Sequence, residues 1–288
     1  MFWTRLGSGI VLLLLSITTM SIGGLPLAIV LWVISMAGFR ELTRALQHAP
    51  AAQSGADQLR GGKRMNVLEA IGLAGIAAYY LLLYFSGKDT WLFMCIVFVF
   101  LAMMFAYVIT FPKFKSLQVT ETVFAFLYAP VMLSFIYQTR MCEQGSYMVW
   151  MILISSWGCD TFAYVVGKLI GKKKIFPVLS PKKSLEGCVG GVLGAVLLGW
   201  LYGYFLVERI FPGESIAWAI ALICGVGAVM SMVGDLAASA IKRDHEIKDY
   251  GKLIPGHGGI MDRFDSVIVT APMTYFLTIL VLNYRTVG

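Results

Sequence analysis

Residues 91–110 read WLFMCIVFVFLAMMFAYVIT, twenty consecutive positions without a charged side chain. A helix needs about 20 apolar residues to cross roughly 30 Å of hydrocarbon, so this stretch predicts a membrane-spanning helix. Further stretches of this kind lie near 6–22, 25–46, 67–86, 120–138, 147–170, 186–208, 216–240 and 265–284. We therefore expect an all-α, polytopic integral membrane protein with about nine transmembrane helices and polar cytoplasmic loops.

The overall composition supports the same class of protein. Apolar residues make up 58% of the chain and charged residues 14%, and the mean hydropathy is +0.78. Soluble domains are usually about 45–50% apolar and about 25% charged. A soluble protein of 288 residues with this composition would have more apolar surface than one core can bury. We therefore expect the lipid bilayer to surround the helices.

The positive charges lie mostly in short loops. The net charge of +7 does not indicate a nucleic-acid partner, because Lys and Arg gather between apolar stretches, which is typical of membrane topology. With nine spans, one side of the membrane carries the N-terminus and the loops near 47–66, 111–119, 171–185 and 241–264. The other side receives only four of the 23 Lys and Arg residues, namely Lys88, Arg140, Arg209 and Arg285. We predict that the charged loops are cytoplasmic.

The beginning of the chain allows more than one interpretation. The stretch near 6–22 has the length of a signal peptide, but no convincing small-x-small cleavage site precedes the next apolar run, so we expect a retained helix. Gly23-Gly24-Leu25-Pro26 separates it from the next apolar stretch. This short break predicts either a tight hairpin or one long broken helix.

Several acids lie inside or beside the predicted spans, where an ionised side chain costs at least about 2.5–3.5 kcal/mol. Asp160 and Asp235 lie within spans, and Asp262 and Asp265 open the last one. Such acids are functional candidates, although Asp160 could instead make a structural hydrogen bond between helices. Two carboxylates at the membrane edge repel each other unless a cation lies between them. Oxygen ligands of this kind suit Mg²⁺.

Helical spacing groups polar residues around these acids. Steps of four along a helix share one face. The first such group contains Ser156, Asp160, Tyr164 and Lys168, and the second contains Ser231, Asp235, Ser239 and Arg243. Both groups point to one cytoplasmic edge of the helix bundle. The glycines of the 186–208 span, by contrast, are typical of close helix packing.

Two cytoplasmic loops have the residues needed to bind phosphate. In Ser180-Pro181-Lys182-Lys183-Ser184, the lysines supply positive charge, and Ser184 is placed to cap the next helix. The run Lys172–Lys174 is explained by membrane topology alone. In the second loop, glycines around His257 would expose backbone N–H groups just before a helix start. Cations, acids and a Gly-rich turn together are typical of phosphoryl or nucleotidyl transfer.

The second loop also resembles the signature of the phosphatidate cytidylyltransferases, or CDP-diacylglycerol synthases. Over 27 residues, the matching positions are Ser239, Lys242, Arg243, Lys248, Asp249, Pro255, His257, Gly258, Gly259, Asp262, Arg263 and Asp265. Outside it, the resemblance includes Asp160–Tyr164, Gly167-Lys168, Ser180–Lys183, Glu186-Gly187 and Gly234-Asp235. It covers about residues 150–270, and the N-terminal half matches only in hydropathy and size.

The resemblance implies a reaction in which CTP and phosphatidate give CDP-diacylglycerol and pyrophosphate. It implies Mg²⁺ dependence, with a paired cation site built on Asp235 and Asp262, and it leaves room for a second cation such as K⁺. It also implies a homodimer in the cell (plasma) membrane, with the catalytic loops on the cytoplasmic side. Because the phosphate of phosphatidate is already anionic, His257 need not act as a general base. Positioning and a structural hydrogen bond are its two alternatives.

The resulting candidate sites fall into two groups. The catalytic candidates are Asp235, Asp262, Asp265, Lys242 and Arg243, with Asp235 and Asp262 as metal ligands. The substrate-binding candidates are Asp160, Ser180, Lys182, Lys183, Ser239, Lys248, Asp249, Lys252, His257, Gly258, Gly259 and Arg263. The assignment of each Lys and Arg side chain to CTP or to phosphatidate stays open.

The sequence suggests three regions: a helix pair with a basic loop at 1–66, three helices at 67–145, and the catalytic region at 146–288. An ion- or proton-coupled transporter is the alternative, because buried acids can also carry ions. A transporter would distribute polar residues through the depth of the membrane, whereas here they gather at one edge. A CDP-alcohol phosphotransferase would need a clustered Asp-x-x-Asp-Gly-x-x-Ala-Arg motif, which is not found in the sequence.

Overall fold

The computed structural model describes residues 2–47, 65–177, 179–211, 215–254 and 258–282. Within these ranges the chain forms helices and connecting loops, without a β-strand beyond two isolated bridges. The helices are α1 (Phe2–Ile22), α2 (Gly24–Leu46), α3 (Val67–Phe85), α4 (Asp89–Thr110), α5 (Ser116–Met141), α6 (Gly145–Ile170), α7 (Leu185–Ile210), α8 (Ala217–Asp244) and α9 (Met261–Leu282). The predicted all-α fold is confirmed.

Eight of these helices, α2 to α9, are long and apolar enough to cross a membrane. In α4 only 22% of the apolar stretch is buried within the protein. Large side chains such as Phe93 and Phe105 point outward, each about two thirds exposed (67% and 68%). Such a surface is stable only in lipid, so the chain is a multi-pass membrane protein. The part of α1 whose side chains are described, Gly7–Ile22, is shorter than a span, and the count of nine stays a prediction.

Glycine makes the break between α1 and α2. Gly23, the one residue between these helices, has φ 70°, and Gly24 has φ 53°. Residues with a Cβ rarely adopt such angles. The Gly23 N–H still donates to the Thr19 carbonyl at 2.8 Å, so α1 ends in an ordered turn. α1 and α2 are therefore two separate helices.

Three of the long helices contain a wide π-helical turn. These turns are Leu127–Val131 in α5, Ile154–Gly158 in α6 and Gly203–Val207 in α7. The turn in α5 contains Pro130, which has no N–H to donate to the helix. π-turns often occur at functional sites because the extra residue changes the register of the following side chains. The turn in α6 ends two residues before Asp160.

The chain divides into two compact units. The first comprises Met1–Ser134 and Ile241–Arg263, and the second comprises Phe135–Ala240 and Phe264–Val287. The first unit therefore joins the N-terminal helices to the segment that contains Lys242 and Asp262. The second contains Asp160, Asp235 and Asp265. The three regions inferred from the sequence stay a prediction.

Aromatic packing and buried hydroxyl groups hold the first unit together. The ring of Phe39 in α2 fills the space beside Gly72 in α3, where a side chain on the glycine would overlap it. Ser35 and Tyr80 share a buried hydrogen bond of 2.7 Å, and the Tyr80 hydroxyl also donates to the Pro130 carbonyl at 3.2 Å. Ser35 and Tyr80 thus both have hydrogen-bond partners, as an apolar environment favours.

In the second unit, α6 and α7 pack closely along glycines. Gly190 faces Val166, and Gly194 faces Phe162. A Cβ added to Gly191 would lie only 2.9 Å from the Cys159 carbonyl oxygen. The interpretation of these glycines as packing residues is confirmed, because the helices approach where the side chains are absent.

Gly191→Ala is expected to destabilise the protein by about 1–3 kcal/mol, the usual cost of overpacking. The measurement is the apparent melting temperature in detergent. The matched control is Gly7→Ala in α1, where an added Cβ meets nothing within 4 Å. This substitution replaces a poor helix former by a good one. Equal melting temperatures for the two variants would contradict close packing at Gly191.

Candidate active site

The polar face of α6 opens into a cavity of the second unit. Asp160, Tyr164 and Lys168 all line it, at steps of four residues. Ser156, which was predicted to share this face, is instead fully buried, and its hydroxyl donates to the Ile152 carbonyl at 2.8 Å. Because Ser156 lies inside the π-turn, the four-residue spacing no longer applies to it.

The cavity has a volume of about 510 Å³ and a strongly cationic wall. The predicted substrate-binding residues Ser180, Lys182 and Lys183 line it together with Lys168 and Lys174. The sequence-based set of sites did not include Lys168 or Lys174. The spacing from Asp160 along α6 indicated Lys168, whereas Lys174 was assigned to membrane topology. Four lysines around one cavity can bind a group with several negative charges.

The loop that supplies most of these lysines folds back onto the start of α7. The backbone N–H of Lys172 donates to the Glu186 carboxylate at 3.0 Å, and Lys174 Nζ donates to the Lys182 carbonyl at 3.1 Å. The predicted cap is confirmed, because the Ser184 hydroxyl oxygen accepts from the Gly187 N–H at 3.2 Å. These contacts hold the lysines beside the positive end of a helix.

An ion pair links this loop to α8. Lys183 Nζ lies 2.7 Å from Asp235 Oδ2, in an ion pair rather than a directed hydrogen bond. The Asp160 carboxylate interacts electrostatically with both groups. The structure thus brings together one lysine and two of the acids selected from the sequence.

α9 approaches α8 next to Asp235. A Cβ on Gly234 would lie 2.7 Å from the Asp265 carbonyl oxygen, so the two helices are in backbone contact there. The Asp265 carboxylate accepts from the Ser266 N–H at 2.8 Å. Ser239 follows Asp235 by one turn and is half-buried. Asp265 is therefore held close to the helix segment that presents Asp235.

In the first unit, Asp262 organises the segment between α8 and α9. Its Oδ1 accepts from Lys242 Nζ at 3.0 Å. Its Oδ2 accepts from the backbone N–H groups of Tyr250 at 2.9 Å and Gly259 at 3.0 Å. The Asp262 side chain is 4% exposed and that of Lys242 is 16% exposed. Three donors thus stabilise one nearly buried carboxylate at the start of α9.

The glycines of this segment have specific structural roles. Gly258 has φ 88°, an angle that favours glycine, and its carbonyl accepts from the Ile254 N–H at 2.9 Å. The Gly259 N–H, expected to face a phosphate, is directed at Asp262. His257 lies outside the described residues, so its role stays a prediction.

Glu41 of α2 also contacts this segment, and the sequence-based selection missed it. Glu41 Oε2 accepts from the Met261 N–H at 3.0 Å, across a separation of 220 residues. Glu41 lies within the predicted span 25–46. The rule that selected Asp160, an acid inside a span, could therefore have found it.

The remaining predicted residues of the segment lie at its surface. Five of them are exposed, namely Arg243, Lys248, Asp249, Lys252 and Arg263. They belong to the same unit as Asp262. Their side chains add four positive charges and one negative charge around it, a balance that favours anionic ligands.

The residues fit a metal ion only if the substrate supplies further ligands. Among the residues that the structure describes, no three His, Cys, Asp or Glu side chains form a metal-binding group. Asp235 and Asp262 each offer one carboxylate. Mg²⁺ commonly takes one or two carboxylates and completes its shell with phosphate oxygens and water. Each carboxylate, taken within its own unit, therefore suits a Mg²⁺ ion that is already bound to phosphate oxygens rather than a closed protein site.

The fold and the two acid–lysine clusters define a polytopic membrane protein with charged residues at helix ends and in the adjoining loops. The sequence profile of the Cytidylyltransferase family matches residues 3–281. The chain therefore belongs to the Cytidylyltransferase family.

Several relatives are named phosphatidate cytidylyltransferase. The one from Thermotoga maritima is 38% identical over 165 residues, which cover 56% of this chain and 60% of that protein. The one from Staphylococcus saprophyticus is 34% identical over 168 residues, covering 58% and 62%. The one from Bacillus subtilis is 38% identical over 143 residues, covering 50% and 51%. This chain thus spans between half and two thirds of the length of these relatives.

Lys242→Met is expected to destabilise the protein by about 3 kcal/mol, because it leaves a nearly buried carboxylate without its counterion. The measurement is thermal unfolding in detergent. Lys248→Met is the control, since Lys248 is exposed on the same segment and its loss should change stability by less than about 0.5 kcal/mol. If both variants unfold at the same temperature, the Lys242–Asp262 pair does not stabilise the fold.

Proposed function

We propose that this chain is a phosphatidate cytidylyltransferase. In the proposed reaction, a phosphate oxygen of phosphatidate forms a bond to the α-phosphorus of CTP. The bond from that phosphorus to the β-phosphate oxygen breaks, and pyrophosphate leaves with the bonding electrons. The products are CDP-diacylglycerol and pyrophosphate. Membership of the Cytidylyltransferase family and the names of the relatives support this proposal.

The observation that carries the proposal is the lysine-lined cavity of the second unit. It is bounded on one side by α6, whose last turns expose Leu169 (76%) and Ile170 (60%). An apolar surface beside a cationic cavity suits a substrate that has both acyl chains and a phosphate group. A soluble nucleotide alone would not need this exposed apolar surface beside the cavity.

We propose that Asp235 and Asp262 hold Mg²⁺, with Asp265 in support, and that a second cation such as K⁺ completes a paired site. When bound, Mg²⁺ would neutralise charge on the phosphates and make the α-phosphorus more electrophilic. Lys183 and Lys242 are the present partners of the two acids. Both lysines can then turn to phosphate oxygens, so that positive charge stays beside the acids.

The chain's own residues mainly position the reactants. The phosphate of phosphatidate is anionic and attacks without a strong base, so a positioning or structural role is proposed for His257. The exposed cations Arg243, Lys248, Lys252 and Arg263 are proposed to attract and hold the triphosphate and the lipid headgroup. Transfer of this type depends on alignment and charge neutralisation more than on covalent help from the protein.

The proposed reaction is consistent with a protein in the plasma membrane whose charged loops face the cytoplasm. CTP is a cytoplasmic metabolite, which agrees with the predicted cytoplasmic side of the charged loops. The relatives come from bacteria, and we therefore place the protein in the plasma membrane. The homodimer implied by the family resemblance is part of the same proposal.

Purified protein in detergent is expected to release pyrophosphate only when CTP, phosphatidate and Mg²⁺ are all present. The measurement is coupled detection of pyrophosphate, with ATP in place of CTP and a reaction without lipid as controls. A folded preparation that releases none across several lipids and cations would contradict the proposal. Ion transport in liposomes would then be measured.

Asp235→Asn is expected to lower kcat by about 100-fold or more, because a neutral amide binds Mg²⁺ more weakly than a carboxylate, and Mg²⁺ would neutralise charge on the phosphates in the transition state. Its dependence on Mg²⁺ concentration should shift to higher concentrations. Asp244→Asn is the control, an exposed acid at the end of α8. Full activity with an unchanged Mg²⁺ response in Asp235→Asn would contradict the proposal that Asp235 is a Mg²⁺ ligand.

A further inference from the structure

Glu41 lies near the end of α2 and contacts the first turn of α9. Its Oε2 accepts from the N–H of Met261, the first residue of α9, at 3.0 Å. The first N–H groups of a helix have no acceptor within the helix, and its N-terminus attracts negative charge. Glu41 therefore acts as a cap that comes from a distant part of the chain.

The surrounding glycines show that the segment is built around this carboxylate. A side chain on Gly251 or on Gly259 would overlap the Glu41 carboxyl group. These two residues belong to the segment that ends at Asp262. Their lack of a side chain is thus explained by Glu41, independently of any approach by substrate.

α2 also fixes the first residue of α9 through apolar packing. The Met261 side chain is fully buried and lies over Gly38, where an added Cβ would come 3.1 Å from its sulfur atom. Gly38 precedes Glu41 by three residues and so lies on the same face of α2. One helix face therefore binds both the side chain and the backbone of Met261.

Glu41 and Asp262 divide the backbone N–H groups of this segment between them. Asp262 accepts from Tyr250 and Gly259, and Glu41 accepts from Met261. Since Met261 directly precedes Asp262, the contact with Glu41 holds the backbone from which the Asp262 side chain extends. The two carboxylates also lie close enough to interact electrostatically, and Lys242 offsets part of that negative charge.

We propose that Glu41 is a positioning residue for nucleotidyl transfer. It holds the start of α9 so that Asp262 and the Gly258-Gly259 turn keep the orientation that the reaction needs. The inference rests on the proposed function, because it takes Asp262 as a metal ligand. It assigns to α2 a part in building the catalytic segment beyond anchoring the protein in the membrane.

The first test compares Glu41→Ala and Glu41→Gln with the wild type. Loss of a group that orients a metal ligand usually costs about 10–100-fold in activity or metal affinity. Glu41→Ala should lower kcat by that factor and raise the Mg²⁺ concentration needed for half-maximal activity. KM for phosphatidate should change less than kcat, because the lysine cavity, which lies in the other unit, keeps its part of the proposed headgroup site. Glu41→Gln keeps an acceptor oxygen and should recover part of the loss.

The control is Glu69→Ala, at an acid in the first turn of α3 in the same unit. It should retain wild-type kcat and Mg²⁺ response. If Glu41→Ala behaves like Glu69→Ala in both measurements, the inference is overturned. Glu41→Gln also separates a positioning effect from unfolding. Its side chain has the same size as Glu, so it should keep the wild-type melting temperature, and any activity that it loses is then not due to unfolding.

The second test does not depend on activity. Hydrogen exchange followed by mass spectrometry should show faster exchange at the Met261 N–H in Glu41→Ala, and also at Gly259 and Tyr250. Exchange in α6 should not change. Unchanged exchange at all three amides would overturn the inference. If exchange responds as expected but the wild type transfers no cytidylyl group, the contact is supported and the proposed function fails.

Discussion

The arrangement of the first unit depends on one carboxylate that accepts three hydrogen bonds. An ionised group next to a membrane is tolerated only when donors replace its water. Asp262 has Lys242, the Tyr250 N–H and the Gly259 N–H as donors, and its side chain is 4% exposed. Lys242 lies in the last turn of α8, whereas Tyr250 and Gly259 lie at separate positions between α8 and α9. The carboxylate therefore shapes the segment, and the fully paired acid is stable where an isolated one would not be.

In the second unit an acid is likewise stabilised by a lysine, but with a different geometry. Asp235 is paired with Lys183 from the loop between α6 and α7, and Asp160 lies in the electrostatic field of both. An acid that is stabilised by a lysine is also prepared for a metal ion, since either cation neutralises it. In the proposed function, Mg²⁺ would take the place of the lysine at Asp235, and Lys183 would become available for a phosphate group of the substrates. The proposed chemistry therefore needs no large rearrangement within this unit.

The sequence predicted the features that depend on local patterns. Spans follow from runs of apolar residues, the Ser184 cap from a serine before a helix start, and the α6–α7 packing from glycines at short spacing. The position of Ser156 was wrong, because the π-turn in α6 shifts the register and no simple periodicity encodes it. The contact of Glu41 with Met261 could not be predicted, since it joins residues 220 positions apart and neither has a local motif. The roles of individual site residues stay predictions.

Backbone hydrogen bonding explains why the N-terminal helices belong with the signature segment. The N–H groups of Tyr250, Gly259 and Met261 need acceptors, because unpaired amides beside an apolar environment are costly. The segment supplies one acceptor itself, Asp262, whose second oxygen already serves two of these amides. The third amide needs a carboxylate from elsewhere, and α2 provides it through Glu41. A C-terminal fragment that lacked α2 would leave this N–H without its partner. The first unit, which joins α2 to Ile241–Arg263, thus contains the acceptors of these three amides.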